Sequence, residues 1–278
     1  MSRTILTNVT APAGAPQFSK RLWGFPSGSL LALHRFYDVP ASPGTAVTTY
    51  IDDVSGAYTA PVVLNAGGFG PPGALSLPGG GIRLVNRMGL PFIVPVTNNL
   101  PWTVAVGMAL NPNSTLMVSP HAAYLLSGGN YNGLTVYMSS APPSLTSASP
   151  LPPFNVREFE SGGSILATSQ GGLAGLNYGT GFVMFVTHYG NGVGLLEIWR
   201  QFAPVLIASF AMNLAVEAGA ANPNSVIYTV GGGSSNYDIM DGNFEAMALW
   251  SKALTTAEKA SVFNSTIGLS VSRGRAFA

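Results

Sequence analysis

The acidic residues are where a search for chemistry begins, because two carboxylates can act together as acid and base. Glu158 and Glu160 lie two positions apart, so they share a face if their segment is a strand. Glycoside hydrolysis requires two carboxylates about 5–5.5 Å apart for retention or about 6.5–9.5 Å apart for inversion. The spacing is compatible with such a pair, but a solvated strand edge is the simpler interpretation. We therefore expect a protein that is not an enzyme.

No activated nucleophile is evident in the sequence. The chain has no cysteine, which removes disulfides, thiol nucleophiles and thiolate metal sites together. Its three histidines are His34, His121 and His188, and the Gly-x-Ser-x-Gly elbow that presents a hydrolase serine does not occur. His188 ends a run of strand-forming residues, and we predict that it is exposed or half-buried.

One glycine-rich segment matches a dinucleotide motif by letters alone. Gly68–Gly73 has the Gly-x-Gly-x-x-Gly spacing, but that motif needs a helix N-terminus with free N–H groups behind it. Pro71 and Pro72 have no N–H to donate. The segment is predicted to be a turn, and no cofactor is expected.

Aromatic and amide side chains in or beside glycine-rich loops supply the materials of a sugar-binding surface. They are Tyr124, Asn130, Tyr131, Asn132, Tyr189, Asn191, Asn236 and Tyr237. The candidate glycan-facing residues among them are Tyr131, Asn132, Tyr189, Asn191 and Tyr237. The alternative is that these side chains pack against their own loops.

Charge is scarce in this chain of 278 residues. Charged residues make up 8% of it, against about 25% in an average globular protein, while 47% are hydrophobic and the net charge is +1. This composition excludes general disorder and a nucleic-acid binder that relies on basic residues. The uncharged block Met88–Val156 is interrupted by proline and asparagine too often for the roughly 20 apolar residues of a membrane-spanning helix.

The two ends of the chain are predicted to lie outside the main domain. Met1–Gly14 has no apolar core of a secretion signal, so we expect folding in the cytoplasm of the producing cell. Residues 1–28 form an arm, because Ala11–Pro16 can hold neither a helix nor a central strand. Residues 269–278 form a tail that could dock on a neighbouring subunit.

Short apolar runs separated by Gly, Pro, Asn and Ser predict many short strands, as in a β-sandwich. Phe182–Val186 is apolar on both faces, which is typical of a strand between two packed layers. Trp102 and Trp250 are predicted in the core, whereas Trp199, next to Ile198 in an alternating strand, is predicted to be exposed.

One helix is predicted, near the C-terminus. Thr255 and Glu258 have the spacing of a capping box, in which the two side chains satisfy each other's backbone N–H groups. Phe263 lies on the face that should pack on the sandwich. Gly268 is predicted to end the helix.

The order of these segments resembles the laminin-G-like, concanavalin-A-like jelly-roll family over residues 29–268. The resemblance is carried by Leu33–Asp38, Asp52–Gly56, Gly73–Gly80, Pro101–Met108 and Met240–Glu258. It implies an all-β fold of two antiparallel sheets with one short C-terminal helix. It does not imply a single function, since members of such a fold serve many roles.

The resemblance also implies a calcium site, as one of two interpretations of Asp53 and Glu245. Asp53 matches the acidic turn position and Glu245 matches the acidic position of the closing strand, but the family's usual second acid is Ala246 here. Calcium prefers six to eight oxygen ligands, several of them carboxylates. The competing interpretation is that Asp53 caps a turn and Glu245 pairs with an arginine.

These observations predict a non-enzymatic structural or accessory protein of a virion, most simply of a bacteriophage, as a capsid decoration or a tail or fibre component. Its expected partners are other virion proteins, further copies of itself and host-surface polysaccharide. The alternatives are a bacterial surface carbohydrate-binding module or adhesin and, less favoured, a glycan-cleaving enzyme. A surface poor in charge avoids the cost of burying ions at contacts, so we expect self-association.

Overall fold

The structure is a computed structural model of the chain. It describes residues 24–36, 39, 42–47, 74–86, 89–94, 101–112, 117–126, 130–138, 146, 149–151, 154–159, 165–171, 176–190, 193–200, 203–211, 226–231 and 240–275. Short segments rich in Val, Ile and aromatic residues form many of its strands, as their β-propensity favours.

Fifteen strands and one helix are formed by the described residues. The strands are β1 (Leu30–His34), β2 (Ala46–Val47), β3 (Ala74–Ser76), β4 (Ile82–Asn86), β5 (Gly89–Val94), β6 (Trp102–Leu110), β7 (Met117–Leu126), β8 (Asn130–Met138), β9 (Phe154–Phe159), β10 (Ile165–Gly171), β11 (Gly181–His188), β12 (Val193–Arg200), β13 (Ala203–Ala211), β14 (Val226–Gly231) and β15 (Met240–Trp250). The helix, α1, is Thr256–Ser272.

The strands form two antiparallel sheets. The nine-stranded sheet has the order β13-β12-β11-β6-β15-β4-β3-β2, and β1 pairs with β15 beyond the end of β4. The six-stranded sheet has the order β10-β9-β8-β7-β14-β5. The predicted fold, mostly antiparallel β with one C-terminal helix, is confirmed.

The central strands of the nine-stranded sheet are buried on both faces. Every residue of β11 is buried, and so is every residue of β6 except Ala109. One face, which includes Ala105, Val183 and Phe185, packs under α1 in a shared apolar cluster. The prediction that Phe182–Val186 lies between two packed layers is therefore confirmed.

The helix begins as the sequence predicts but ends later. Thr255 accepts a hydrogen bond from the Glu258 N–H, and the Glu258 carboxylate accepts one from the Thr255 N–H, so the capping box is confirmed. Gly268 does not end α1, which continues through Ser272. Gly268 is exposed and no atom lies near the position of a side chain there, so nothing local stops the helix.

The last described part of the N-terminal segment packs against α1. We call Gly24–Pro26 the strap. The Phe25 side chain is buried in the cluster between α1 and the sheet. The Ser261 hydroxyl donates to the Gly24 carbonyl at 2.7 Å, and the Trp250 indole N–H donates to the Pro26 carbonyl at 2.8 Å. The rest of the predicted arm, residues 1–23, lies outside the described residues.

Of four burial predictions, two are confirmed and two are wrong. Trp102 and Trp250 are fully buried, as predicted. Trp199 is buried, because α1 covers its face of the sheet and places the Phe263 ring 6.0 Å away. His188 is also buried, with its ring 5.7 Å from the Trp102 ring. The period of a strand assigns residues to faces, but it cannot reveal that a helix covers one face.

Replacing Gly107 by alanine should destabilise the protein by about 1–3 kcal/mol, because α1 packs closely on β6 there. An added Cβ would lie 2.3 Å from the Thr266 methyl carbon, and Thr266 is buried and β-branched. Urea denaturation should show the loss. A second replacement, Thr266→Ser, removes that methyl group and should restore part of the stability; no recovery would show that the helix is not seated on Gly107.

Candidate functional site

Glu245 forms the centre of a buried ionic cluster with two arginines that follow α1. Arg273 Nη1 donates to Glu245 Oε2 at 2.8 Å, and Arg275 Nη2 donates to the same oxygen at 2.8 Å. Arg275 Nε donates to Glu245 Oε1. The Glu245 and Arg273 side chains are only 4% and 1% exposed, so solvent screens this pair little. We call these three residues the C-terminal clasp.

The clasp also holds backbone from distant parts of the sheet. Arg273 donates to the carbonyls of Glu245 and Arg35. Arg275 donates to the carbonyls of Pro78, at 2.9 Å, and Gly80, at 2.6 Å. The end of β1, the β3–β4 turn and β15 are thereby joined to the end of α1. The residues predicted as a tail that docks on a neighbour thus bind their own chain as far as Arg275.

Two further ion pairs fasten α1 at its other end. Lys259 on α1 pairs with Glu197 on β12, and both side chains are largely buried. Lys252 pairs with Glu258 at the capping box, where both side chains are partly exposed. Glu197, Glu245 and Glu258 each have a basic partner in the same chain. These pairs fix α1 on the nine-stranded sheet.

The pKa of Glu258 is held below its ordinary value, mainly by the hydrogen bond from Lys252 and then by that from the Thr255 N–H. A carboxyl with a lowered folded-state pKa contributes stability above its unfolded pKa and loses it as pH falls through the folded pKa. Glu258→Gln should therefore be less stable than wild type at pH 7, and the difference should vanish at strongly acidic pH. Urea denaturation between pH 7 and pH 3 tests this, and a pH-independent difference would contradict it.

A small cleft lies beside the clasp. It has a volume of about 120 Å³ and is lined in part by Asn243, Glu245, Ser270 and Arg275. Asn243 Oδ1 is buried and has no hydrogen-bond partner among the described residues. Ligand pockets usually measure about 300–1,000 Å³, so this cleft can hold a few waters but is too small for a sugar. We do not assign a ligand to it.

Among the candidate glycan-facing residues, Tyr189 has a described side chain. It follows β11 in the turn to β12, the residue is 37% exposed, and Val193 across the turn is 43% exposed. Partial burial, and secondarily the charge of Glu197, raises the pKa of the Tyr189 phenol, so the hydroxyl is a neutral donor at physiological pH. The described residues at the two ends of this turn, Tyr189 and Val193, are exposed.

The other candidates lie in a strand or outside the described residues. Tyr131 and Asn132 lie within β8 of the six-stranded sheet, together with Asn130, rather than in a loop. Asn191 and Tyr237 lie outside the described residues, as does Asn236. Tyr124 lies in β7.

Of the residues predicted as catalytic or metal-binding candidates, some lie outside the described residues and Glu245 is bound to arginine. Glu158 lies in β9 and Glu160 lies outside the described residues, as does Asp53. Glu245 is paired with arginine, as the alternative to a calcium site predicted, and both of its oxygens accept guanidinium hydrogens. Over the described residues, no group of three or more His, Asp or Glu side chains is placed to hold a metal ion. In the same part of the chain, no helix is both long and apolar enough to cross a bilayer.

Sequence reasoning missed both basic members of the clasp. Arg273 and Arg275 lie two residues apart in the ten-residue segment that the sequence predicts to be a tail, in a chain with very few charges. Two arginines in so neutral a sequence were the available signal, because a charge retained in such a chain is expected to have a specific partner. The partner itself could not be named from the sequence.

Over the described residues, two antiparallel sheets and a C-terminal helix form a fold of the concanavalin-A-like type. The solved structure of Trypanosoma rangeli sialidase in complex with sialic acid matches 88% of this chain and 34% of its own, with 15% identity and a TM-score of 0.53. A mutant of that sialidase displaying trans-sialidase activity matches with the same coverage, 14% identity and a TM-score of 0.53. The present chain spans about a third of these sialidases, and the likeness shows the fold alone.

A lectin-type structure also matches, at lower similarity. The exoplasmic/lumenal domain of VIP36 in its Ca²⁺/Man-bound form matches 64% of this chain and 81% of its own, with 13% identity and a TM-score of 0.41. That likeness is too distant to support an inference about ligands. No family model matches the sequence, and no curated protein matches it.

Proposed function

We propose that this chain is a non-enzymatic structural or accessory subunit of a virion, a capsid decoration or a tail or fibre component, built on a lectin-like sandwich. The main observation that supports this proposal is the distribution of charge around α1. The acidic and basic side chains there pair with each other inside the molecule. The exposed residues of α1 are all uncharged, namely Thr256, Ala257, Asn264, Gly268, Val271 and Ser272.

This distribution suits a subunit that packs against neighbours. An exposed helix face is usually charged, and bringing charges into a contact requires their desolvation. A neutral face can be covered by a neighbouring protein without that cost. The pairing of Glu197, Glu245 and Glu258 with basic residues supports the non-enzymatic part of the proposal, because a committed carboxylate is a poor general acid or base.

The test is to locate the protein in particles. Virions should be purified from the culture that produces the protein and labelled with gold-conjugated antibody for electron microscopy. We expect labelling at regular positions on the capsid or tail, and a fixed copy number by mass spectrometry. A protein found only as a free monomer in the particle-free fraction would overturn the proposal.

Contact with host glycans is the second role that we propose, and the exposed Tyr189 turn favours it. A glycan array should show binding that Tyr189→Ala lowers at least tenfold, while Val193→Ala serves as a control for general damage to the turn. No binding by the wild-type protein at millimolar sugar would remove this role and also the alternative of a bacterial adhesin. Neither result bears on the location of the protein in particles.

A further inference from the structure

The strap has a seat that is formed by specific features of α1 and β15. Gly24 has a φ of +75°, and an added Cβ would lie only 1.7 Å from Ser265 Oγ, so a glycine is required at this contact. Phe25 fills the apolar cluster, with 4% of its surface exposed. The strap's two hydrogen bonds to α1 and β15 are accepted by its backbone carbonyls. The seat therefore recognises the sequence Gly-Phe-Pro wherever that segment comes from.

The residues that join the strap to β1 form an exposed and strained hinge. Ser27, Gly28 and Ser29 are all exposed. Ser29 has a φ of +63°, in the left-handed region that non-glycine residues avoid. A short hinge under strain favours exchange of the segment that it carries, because the strain is released when the hinge opens.

We propose that the strap is exchanged between two copies of this chain, so that Gly24–Pro26 of one copy occupies the seat on α1 of the other. Every contact that the strap makes in its own chain can be made in the exchanged form, while the left-handed conformation of Ser29 is relieved. Exchange requires no new binding surface. This proposal concerns self-association of the purified chain and is independent of any role in a virion.

The geometry limits which copies can exchange. Three hinge residues in extended conformation span at most about 10 Å, so the α1 helices of the two copies must lie side by side. The uncharged exposed residues of α1, among them Asn264, Gly268 and Val271, allow this approach without burying charge. The relevant dimer is therefore one in which two neutral helix faces meet.

Two substitutions at one hinge position should shift the monomer–dimer equilibrium in opposite directions. Ser29→Gly accepts a positive φ without strain and should weaken the dimer, whereas Ser29→Val, with a β-branched side chain, should strengthen it. Each dimer opens two hinges, so we expect the dimer dissociation constant to change about tenfold or more in each direction. Sedimentation velocity of the full chain measures this. Equal dissociation constants for the two variants, or no dimer in either, would overturn the proposal.

Discussion

Replacing Glu245 by glutamine should lower the free energy of unfolding by about 3–5 kcal/mol. The substitution keeps the shape of the side chain but removes its charge, and it leaves two guanidinium groups without a counterion. Arg273 is almost completely buried in this cluster, so water cannot solvate it in compensation. Breaking a buried ion pair from one side is costly for this reason, even where replacing the whole cluster by apolar residues would be close to neutral.

The measurement is urea denaturation followed by circular dichroism, since urea adds no ions that could screen the pair. Glu258→Gln is the matched control, because its pair with Lys252 is partly exposed and should contribute about 1 kcal/mol or less. Adding 0.5 M NaCl should reduce the effect of Glu258→Gln and leave that of Glu245→Gln almost unchanged. A loss below about 1 kcal/mol for Glu245→Gln would show that the clasp does not hold the fold together.

The parts of this fold that could be predicted from sequence are those that depend on near neighbours. The alternation around Trp102 and the doubly apolar run Phe182–Val186 follow from the geometry of a strand, which needs only the next few residues. The start of α1 follows from a capping box that spans four residues, Thr255 to Glu258. These signals are local, so a single sequence contains them in full.

The parts that could not be predicted depend on contacts between distant segments. Arg273 and Glu245 are 28 residues apart and meet only when α1 lies along β15. Trp199 is buried because α1, which is distant in sequence, covers it. The alternation of residues within β12 cannot predict that contact. The glycan candidates stay a prediction, since a composition shared by several segments does not say whether they share a surface.

Replacing Trp250 by alanine should cost about 3–5 kcal/mol, the range for removal of a large buried aromatic side chain. Trp250 has no exposed surface, and it packs with Phe25, Leu30 and Leu254 in the cluster under α1. Its indole also holds the strap through the Pro26 carbonyl. The alanine variant should therefore lose stability and, in addition, hydrogen-exchange protection of the amide of Leu30 at the start of β1.

Trp102→Ala is the matched control, because it removes the same side chain from an equally buried position on the opposite face of the sheet, next to Thr103, the β6 partner of Trp250. We expect a similar loss of stability from the two alanine variants but early exchange of the Leu30 amide in Trp250→Ala alone. If both variants exposed this amide equally, the strap would be held by the general stability of the sandwich and not by Trp250.

Trp250→Phe separates the packing of the ring from its hydrogen bond. Phenylalanine fills most of the space but leaves the Pro26 carbonyl without its donor, a loss of about 1–3 kcal/mol. If straps exchange, this bond exists in the monomer and in the dimer alike, so its loss cancels between the two forms. Trp250→Phe should then leave the dimer dissociation constant within about twofold of wild type while speeding the interconversion. A large change in that constant would mean that the indole bonds differ between the two forms, which an exchange of identical straps does not allow.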